Sequence, residues 1–372
     1  MILGNSTMDG NRATVPDDTG RLFRLDGLRG IAAAGVLTHH IFLFYAPWQF
    51  SAAPFEQVAG WIQHYGWTLV DLFFVLSGYV FAQVYLRDET LRSQKGLASF
   101  WVARFARLWP LHLTMLVLIA IVHPANQANT VYAFLAHLAM LQAFVIPVAG
   151  TYDGSTWSIT VEVLCYAIFA TFYAHGRRAL LWTTALMIGL ALISQTLISH
   201  PGGPFAGSVF RRGLLGFFLG QALWHCRGRL SKIPMLVLAA SLLAGLGIEV
   251  GPYSPVLPLT LLTWPSALLL ALRLKVMESP AMVWLGDRSY GIYLINLPLI
   301  QAVASICAGH ELGTTQIVTI QLAIVVMALL AAELSFRWIE APSRRAIRQV
   351  WKRHEGRSSE SSGTMTRTRG SV

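Results

Sequence analysis

The sequence predicts an all-α fold, a polytopic membrane helical bundle of about ten transmembrane helices with one re-entrant or interfacial segment. Three observations predict it. Of 372 residues, 55% are hydrophobic and 12% are charged; a soluble domain carries about 25% charge, so lipid has to cover the excess apolar surface. Apolar runs close to the roughly 20 residues that a crossing helix needs recur along most of the chain. Between them, Lys and Arg alternate in density, as they do when successive loops lie on opposite sides of a bilayer. The formal net charge of +10 would suggest nucleic acid in a soluble chain. Topology accounts for it here, and no nucleic-acid partner is expected.

The first stretch, residues 1–26, is polar, holds no cleavable apolar core and reads as a cytoplasmic N-terminal segment. A transmembrane domain follows over 27–340, with apolar runs near 28–47, 67–86, 107–123, 131–147, 157–174, 179–198, 209–225, 233–250, 256–273, 288–307 and 315–338. Counting 131–147 as a full crossing would put the clusters Arg177 and Arg178, Arg227, Arg229 and Lys232, and Arg273 and Lys275 outside, against the positive-inside rule. With 131–147 re-entrant or interfacial, those clusters join Arg87, Arg92, Lys95 and Arg288 on the cytoplasmic side, and only Arg211 and Arg212 face outward. Ten crossings follow, with both termini cytoplasmic. The segment 341–372 carries Arg344, Arg345, Arg348, Lys352, Arg353 and Arg357 ahead of a Ser-, Thr- and Gly-rich end, and reads as a disordered basic tail lying against anionic headgroups, without a catalytic role. Cys165, Cys226 and Cys307 are scattered and suit neither a disulfide nor a zinc site, so no metal is expected.

An ionised side chain at the bilayer centre costs on the order of 2.5–3.5 kcal/mol, so charges inside the runs mark chemistry. Arg29 sits at the mouth of the first run and His40 three turns further in. Asp71 lies near the outer end of GWTLVDLFFVLSGYVFAQ, where Ser77 and Gly78 form a small notch that suits either helix packing or a ligand path. Arg104 and Arg107 stand at i and i+3 of a helix that starts at the cytoplasmic surface, a spacing that lets two guanidiniums fork onto a phosphate or diphosphate; the positive-inside rule accounts for them equally. Glu162 lies about one and a half turns into the run 157–174, with Trp157 as interfacial anchor and Ser158 or Thr160 as caps, and calls for a cationic partner such as His40 or an arginine. His112 and His137 read as hydrogen-bonded structural residues. Asp287 and Arg288 open a helix along which Tyr290, Tyr293 and Asn296 form a polar stripe that faces protein or cavity, as substrate path or as helix contact. No Walker motif, dinucleotide fingerprint, haem or zinc pattern is present, so no tightly bound cofactor is expected and the hard chemistry has to come from an activated substrate.

At these residues the chain resembles the acyltransferase-3 family, multi-pass membrane proteins that O-acylate surface carbohydrates. The family's Arg followed after ten residues by His falls on Arg29 and His40; the adjacent His39 misses the spacing by one. VDLFFVLSGYVF is similar to its FFVLSG signature, RFARLWP to its R-x-x-R-x-x-P element, TWSITVE to W-S-x-x-x-E, and RSYGIYLINLP to S-Y-x-x-Y-L-x-x-x-P. These five motifs stand in family order. One departure is Asn296, where the family often has His, which implies hydrogen bonding rather than proton handling at that position. The appended SGNH hydrolase-like domain frequent in the family is missing, which implies a stand-alone membrane acyltransferase.

The resemblance implies an acyl-CoA co-substrate, usually acetyl-CoA, on the cytoplasmic side of a bacterial inner membrane, and a carbohydrate or glycolipid hydroxyl as acceptor. On those terms His40, Arg29, Glu162 and Asp71 are the catalytic set, with His40 as general base or transient acyl carrier and Glu162 or Asp71 orienting its ring. Arg104 and Arg107 would hold CoA phosphates, Ser77, Tyr290, Tyr293 and Asn296 would line the substrate path, and Arg211 with Arg212 would offer an outward basic pair to an anionic acceptor. Two rival readings stay open: a transporter or exporter of a lipid-linked or small glycan, because polar intramembrane residues also mark conduction paths, and a catalytically inactive relative that acts as an assembly partner.

Overall fold

The structure is a computed structural model and describes residues 22–45, 53–86, 90–123, 126–145, 147–197, 209–248 and 256–367. The polar segment before Leu22, Arg87 and the last five residues lie outside the described residues. In chain order the α-helical segments are α1 Phe23–Phe44, α2 Ala53–Tyr65, α3 Leu69–Tyr85, α4 Gln94–Val122, α5 Val131–Leu138, α6 Trp157–Ala174, α7 Arg177–Leu197, α8 Val209–His225, α9 Arg227–Leu230, α10 Met235–Gly247, α11 Val256–Pro258, α12 Trp264–Ala271, α13 Pro280–Cys307, α14 Thr314–Ser335 and α15 Ala341–Arg367. Two π turns, Leu259–Thr263 and Phe336–Glu340, join α11 to α12 and α14 to α15. No strand occurs among the described residues.

Seven helical stretches are long and apolar enough to cross a bilayer: Phe23–Phe44, Glu56–Tyr85, Gln94–Val122, Gly154–Ala174, Arg177–Leu197, Pro280–Cys307 and Thr314–His354. The run 131–147 breaks up. Thr130 caps α5, its hydroxyl accepting from the Ala133 N–H at 3.1 Å, but the helix ends after eight residues and Met140 turns the chain with φ 57°. At 1.5 Å per residue α5 is about 12 Å long, well short of a ~30 Å hydrocarbon core. The basic tail departs from expectation in the other direction. It is helical from Ala341 to Arg367, because it continues a long helix through the π turn and because the Trp351 indole donates to Ser99 Oγ of α4 at 2.9 Å.

Two helix pairs set the geometry of the interior. α1 runs beside α13 in the same direction, and a Cβ added at Gly30 would stand 2.8 Å from the Gly286 nitrogen, so the two backbones touch. α3 runs beside α8 likewise, with Gly78 against the Phe217 carbonyl and Gly220 against the Val75 carbonyl. Small residues permit this approach where lipid gives no hydrophobic drive for helices to associate. Gly78 therefore serves packing, while Ser77, one residue earlier and on another face of α3, turns to the interior. Aromatic rings close the space between α3, α4, α6 and α8: Phe81 stacks on Tyr166 at 4.2 Å and meets Phe100 edge-on at 5.8 Å and Phe217 at 5.6 Å.

Candidate active site

A chamber of about 80 Å³ lies between α1, α3, α4, α6 and α13, walled among others by Arg29, Ser77, Arg104, Arg107, Ser158, Glu162, Tyr166, Tyr290 and Tyr293. A wider vestibule of about 270 Å³ lies toward the N-terminal end of α1, bounded by Asp26, Arg29, Arg107, Asp287, Ser289, Tyr290, Glu340 and Arg344 among others. Arg29, Arg107, Ser289 and Tyr290 wall both, so the two spaces meet at a neck. One water needs on the order of 10–15 Å³ by this kind of measure, so the inner chamber has room for a group of a few heavy atoms and not for a nucleotide.

The neck and chamber combine satisfied and unsatisfied polar groups. Arg29 is tied to Asp26 one turn earlier at 3.1 Å. Arg104 lies within 4.9 Å of the Phe81 ring and 5.8 Å of the Tyr166 ring and donates to the Tyr85 hydroxyl at 3.2 Å, while its Nε is buried without a partner. Arg107 makes no hydrogen bond or ion pair among the described residues. The two therefore do not form the symmetrical fork that their spacing suggests: Arg104 is held in an aromatic box and Arg107 stands free at the neck.

Glu162 meets neither His40 nor an arginine within ion-pair distance among the described residues. It accepts from Ser77 Oγ at 3.0 Å and from the hydroxyl of Tyr166, one turn on. Tyr166 is a site residue that the motif reading missed, although its i+4 position relative to a buried carboxylate is a usable signal. Ser158, expected as a cap, instead faces the chamber and bonds the Tyr293 hydroxyl at 2.9 Å. That phenol donates to the Ser155 carbonyl at 2.7 Å, and the Tyr290 phenol donates to the Leu108 carbonyl at 2.6 Å, tying α13 to α4. Trp157, expected as an interfacial anchor, is buried against Phe74 and Arg212.

His40 and Asn296 sit together just beyond the chamber. Asn296 is one turn past Tyr293 on α13, and its Nδ2 donates to the carbonyls of Ile292 and Tyr293 at 2.8 and 2.7 Å. This fixes the amide with Oδ1 toward His40, 2.5 Å from the ring Nδ1. An amide oxygen only accepts, so Nδ1 carries the proton and Nε2 is left with its lone pair. His40 lies eleven positions after Arg29, three turns that bring both to one face of α1. The expectation that Glu162 or Asp71 orients the imidazole is corrected: the orienting group is Asn296. His39 points elsewhere, its Nδ1 bonded to the Ile62 carbonyl at 2.9 Å.

Asp71 is not in the site. Both it and Arg212 are fully buried and joined at 2.9 Å between α3 and α8, with the guanidinium 4.3 Å from the Trp67 ring and 5.1 Å from the Trp157 ring. The outward basic pair also dissolves, since Arg212 is consumed by this contact and Arg211 donates to the Ser194 carbonyl at 2.8 Å. The loop before α6 forms its own buried polar cluster. His137 Nε2 lies 3.1 Å from Thr151 Oγ1, His112 Nε2 lies 2.8 Å from the His137 carbonyl, and Asp153 accepts from the Ser155 amide and hydroxyl at 3.0 and 2.7 Å. Burial pushes the Asp153 carboxyl up to about 7. The histidines are hydrogen-bonded within the fold, as their isolated positions in the sequence suggested.

Comparisons with known proteins match this arrangement to one family. Over 86% of its length the chain is 26% identical to the peptidoglycan O-acetyltransferase OatA of Listeria monocytogenes, and it spans 55% of that protein. It is 27% identical to the acyltransferase MdmB of Streptomyces mycarofaciens, covering 90% of this chain and 94% of that one. The O-acetyltransferase OatA of Staphylococcus aureus is 22% identical over 86% of the chain, which spans 57% of that relative. The chain thus covers about half the length of the OatA proteins it matches. No solved structure matches it. The sequence model for the acyltransferase domain of the acyltransferase-3 family aligns with residues 22–334, which takes in α1 to α14 and every polar wall of the inner chamber, and the chain belongs to that family.

Proposed function

We propose that this chain is a membrane O-acyltransferase that takes an acyl group, acetyl in the simplest case, from acyl-CoA on the cytoplasmic side and delivers it to a carbohydrate hydroxyl on the other side of a bacterial inner membrane. The observation that carries the reading is the succession of two adjoining cavities, an arginine-walled vestibule and an inner chamber that share Arg29 and Arg107 as walls, the inner one reaching Tyr293, one helical turn short of the His40–Asn296 pair. With α8 and the shorter apolar helices α10 and α11–α12 as further crossings, ten spans with both termini cytoplasmic would put the vestibule on the side where acyl-CoA is made. The name of the Listeria relative, a peptidoglycan O-acetyltransferase, favours a cell-wall glycan as acceptor.

In this reading Arg107 engages the CoA phosphates from the neck, while Arg104, which walls only the inner chamber and was expected to share that task, faces the thioester there, and the chamber excludes the nucleotide. Glu162 holds the Ser77 and Tyr166 hydroxyls along the thioester's route. His40 then works through its bare Nε2 by one of two routes. As general base it removes the proton from the sugar hydroxyl while the oxygen attacks the thioester carbonyl; the C–S bond breaks and the imidazolium returns the proton to the CoA thiolate. As nucleophile its Nε2 forms a bond to the acyl carbon while the C–S bond breaks and the thiolate leaves; the sugar oxygen then attacks that carbon, the N–C bond breaks, and the hydroxyl proton balances the one taken up by the CoA thiolate.

The test is His40→Ala in purified chain, scored by transfer of labelled acetyl from acetyl-CoA to glycan. Loss of a histidine in either role should reduce transfer by about 10²–10⁴-fold, with membrane insertion and thermal stability kept. Activity within a few-fold of the unchanged chain would overturn the assignment.

A further inference from the structure

The vestibule holds a third arginine besides Arg29 and Arg107. Along the path the guanidiniums form a series: Arg104 walls only the inner chamber, Arg29 and Arg107 wall both spaces, and Arg344 walls only the vestibule. Arg344 belongs to the first turn of α15, where its neighbours Arg345 and Arg348 are exposed while it is half-buried. Its Nε is buried with no hydrogen-bond partner, and it makes no ion pair among the described residues. The carboxylates that share the vestibule make their hydrogen bonds and ion pairs with other groups, although the charges of Glu340 and Asp287 also act on Arg344. Asp26 bonds to Arg29 at 3.1 Å, Asp287 lies 3.9 Å from Arg288, and Glu340 accepts from Ser335 Oγ at 3.0 Å. Glu340 Oε2 is left buried and unpartnered as well.

We infer that Arg344 binds the 3′-phosphate of the donor's ribose and so makes the site selective for CoA over carriers that lack this phosphate. The inference rests on the acyl-CoA reading above. Its reasoning is one of order along a chain molecule. The thioester has to reach the inner chamber, the pantetheine arm follows through the neck, the diphosphate comes next, and the phosphorylated ribose lies farthest out. The arginines stand in the same sequence, and the outermost is the one supplied by α15. A desolvated guanidinium with an open donor is a receptor for a phosphate oxygen, and Arg does this with two parallel N–H bonds where Lys offers a point charge. The basic tail, read from sequence as a membrane-surface element without a part in the reaction, thereby contributes its first turn to donor choice.

The experiment needs no acceptor. Full-length chain in detergent is titrated calorimetrically with CoA and with 3′-dephospho-CoA, and the ratio of the two Kd values is the readout. The unchanged chain should bind CoA roughly tenfold more tightly, the size of one charge-assisted hydrogen bond. Arg344→Gln should bring the ratio close to one while leaving the affinity for 3′-dephospho-CoA where it was, and Arg348→Gln should leave both values alone. A ratio that survives Arg344→Gln overturns the assignment. Equal affinity of the unchanged chain for both nucleotides overturns it too, with the donor reading intact. Binding of neither removes the donor reading itself. If Arg344→Gln loses all binding, Arg344→Met, which keeps the apolar stem, is judged by the same ratio.

Discussion

Arg212, in the first turn of α8, and Arg107, midway along α4, are both arginines turned into the bundle, and their surroundings are opposite. Arg212 is sealed, with Asp71 at 2.9 Å and neither side chain exposed, and two indole rings stand over its guanidinium. Arg107 stands at the junction of two cavities with no partner of its own. The first is a joint between α3 and α8; the second is a socket. The energetic contrast follows from desolvation. Removing one member of a buried pair leaves an uncompensated charge and costs about 3–5 kcal/mol, whereas a guanidinium that faces a wet vestibule in the empty state loses little when removed and matters when an anion arrives.

The comparison is open to breakage from both ends. Asp71→Ala should have the largest effect, a loss of about 3–5 kcal/mol in stability, read as a large drop in thermal midpoint in detergent, with activity per folded molecule retained. Replacing both partners, Asp71→Leu with Arg212→Met, should recover most of that loss. If Asp71→Ala instead leaves the midpoint in place and stops acyl transfer, Asp71 belongs to the reaction and the contrast fails. Next in size, Arg107→Ala should raise the KM for acetyl-CoA roughly tenfold at unchanged kcat, as loss of one charge-assisted phosphate contact would. A collapse in stability on the scale of Asp71→Ala would make Arg107 a joint as well.

The smallest effect concerns the loop before α6, where Asp153 is buried. Burial holds its carboxyl at about 7, above the ordinary 3.8. A carboxyl raised on folding favours the fold in its neutral form, so its contribution is present at low pH and is lost as pH rises from 3.8 through about 7. Asp153→Asn should therefore raise the thermal midpoint more at pH 8 than at pH 5. An equal change at both values would show that titration of this group does not govern the loop.

Much of the site was legible in the sequence because a bilayer penalises polar residues that do nothing. Arg29, Ser77, Arg104, Arg107, Glu162, Tyr290 and Tyr293 all wall the inner chamber, and His40 faces the polar residue Asn296 at its end. What the sequence left open was pairing. Asp71 and Glu162 look alike as single carboxylates in apolar runs, and only the packing of α3 on α8 shows that one has an arginine across from it and the other has two hydroxyls. The same limit hid Ser158, whose position at a helix start suits a cap as well as a chamber wall. Helix extents were legible where a run has one continuous apolar length, as in 157–174; at 131–147, expected to be re-entrant or interfacial and not a crossing, hydropathy is high but the helix stops at Leu138 and Met140 turns the chain with φ 57°. The tail was misjudged for a related reason: composition argues for disorder, while continuity with α14 and the Trp351–Ser99 contact impose a helix.

The π turn at Phe336–Glu340 gives the last helix its phase. A π turn carries one residue more than the α-helical path would, and each residue of an α-helix advances the azimuth by about 100°. With that extra residue Glu340 and Arg344 look toward the vestibule, and Arg345 and Arg348 look away. Deleting a single residue from the turn would rotate everything downstream by about 100°, withdrawing Arg344 from the mouth without changing one charge in the protein. On the proposed assignment of Arg344, donor preference would depend on the length of a five-residue segment as well as on the identity of the arginine that follows it.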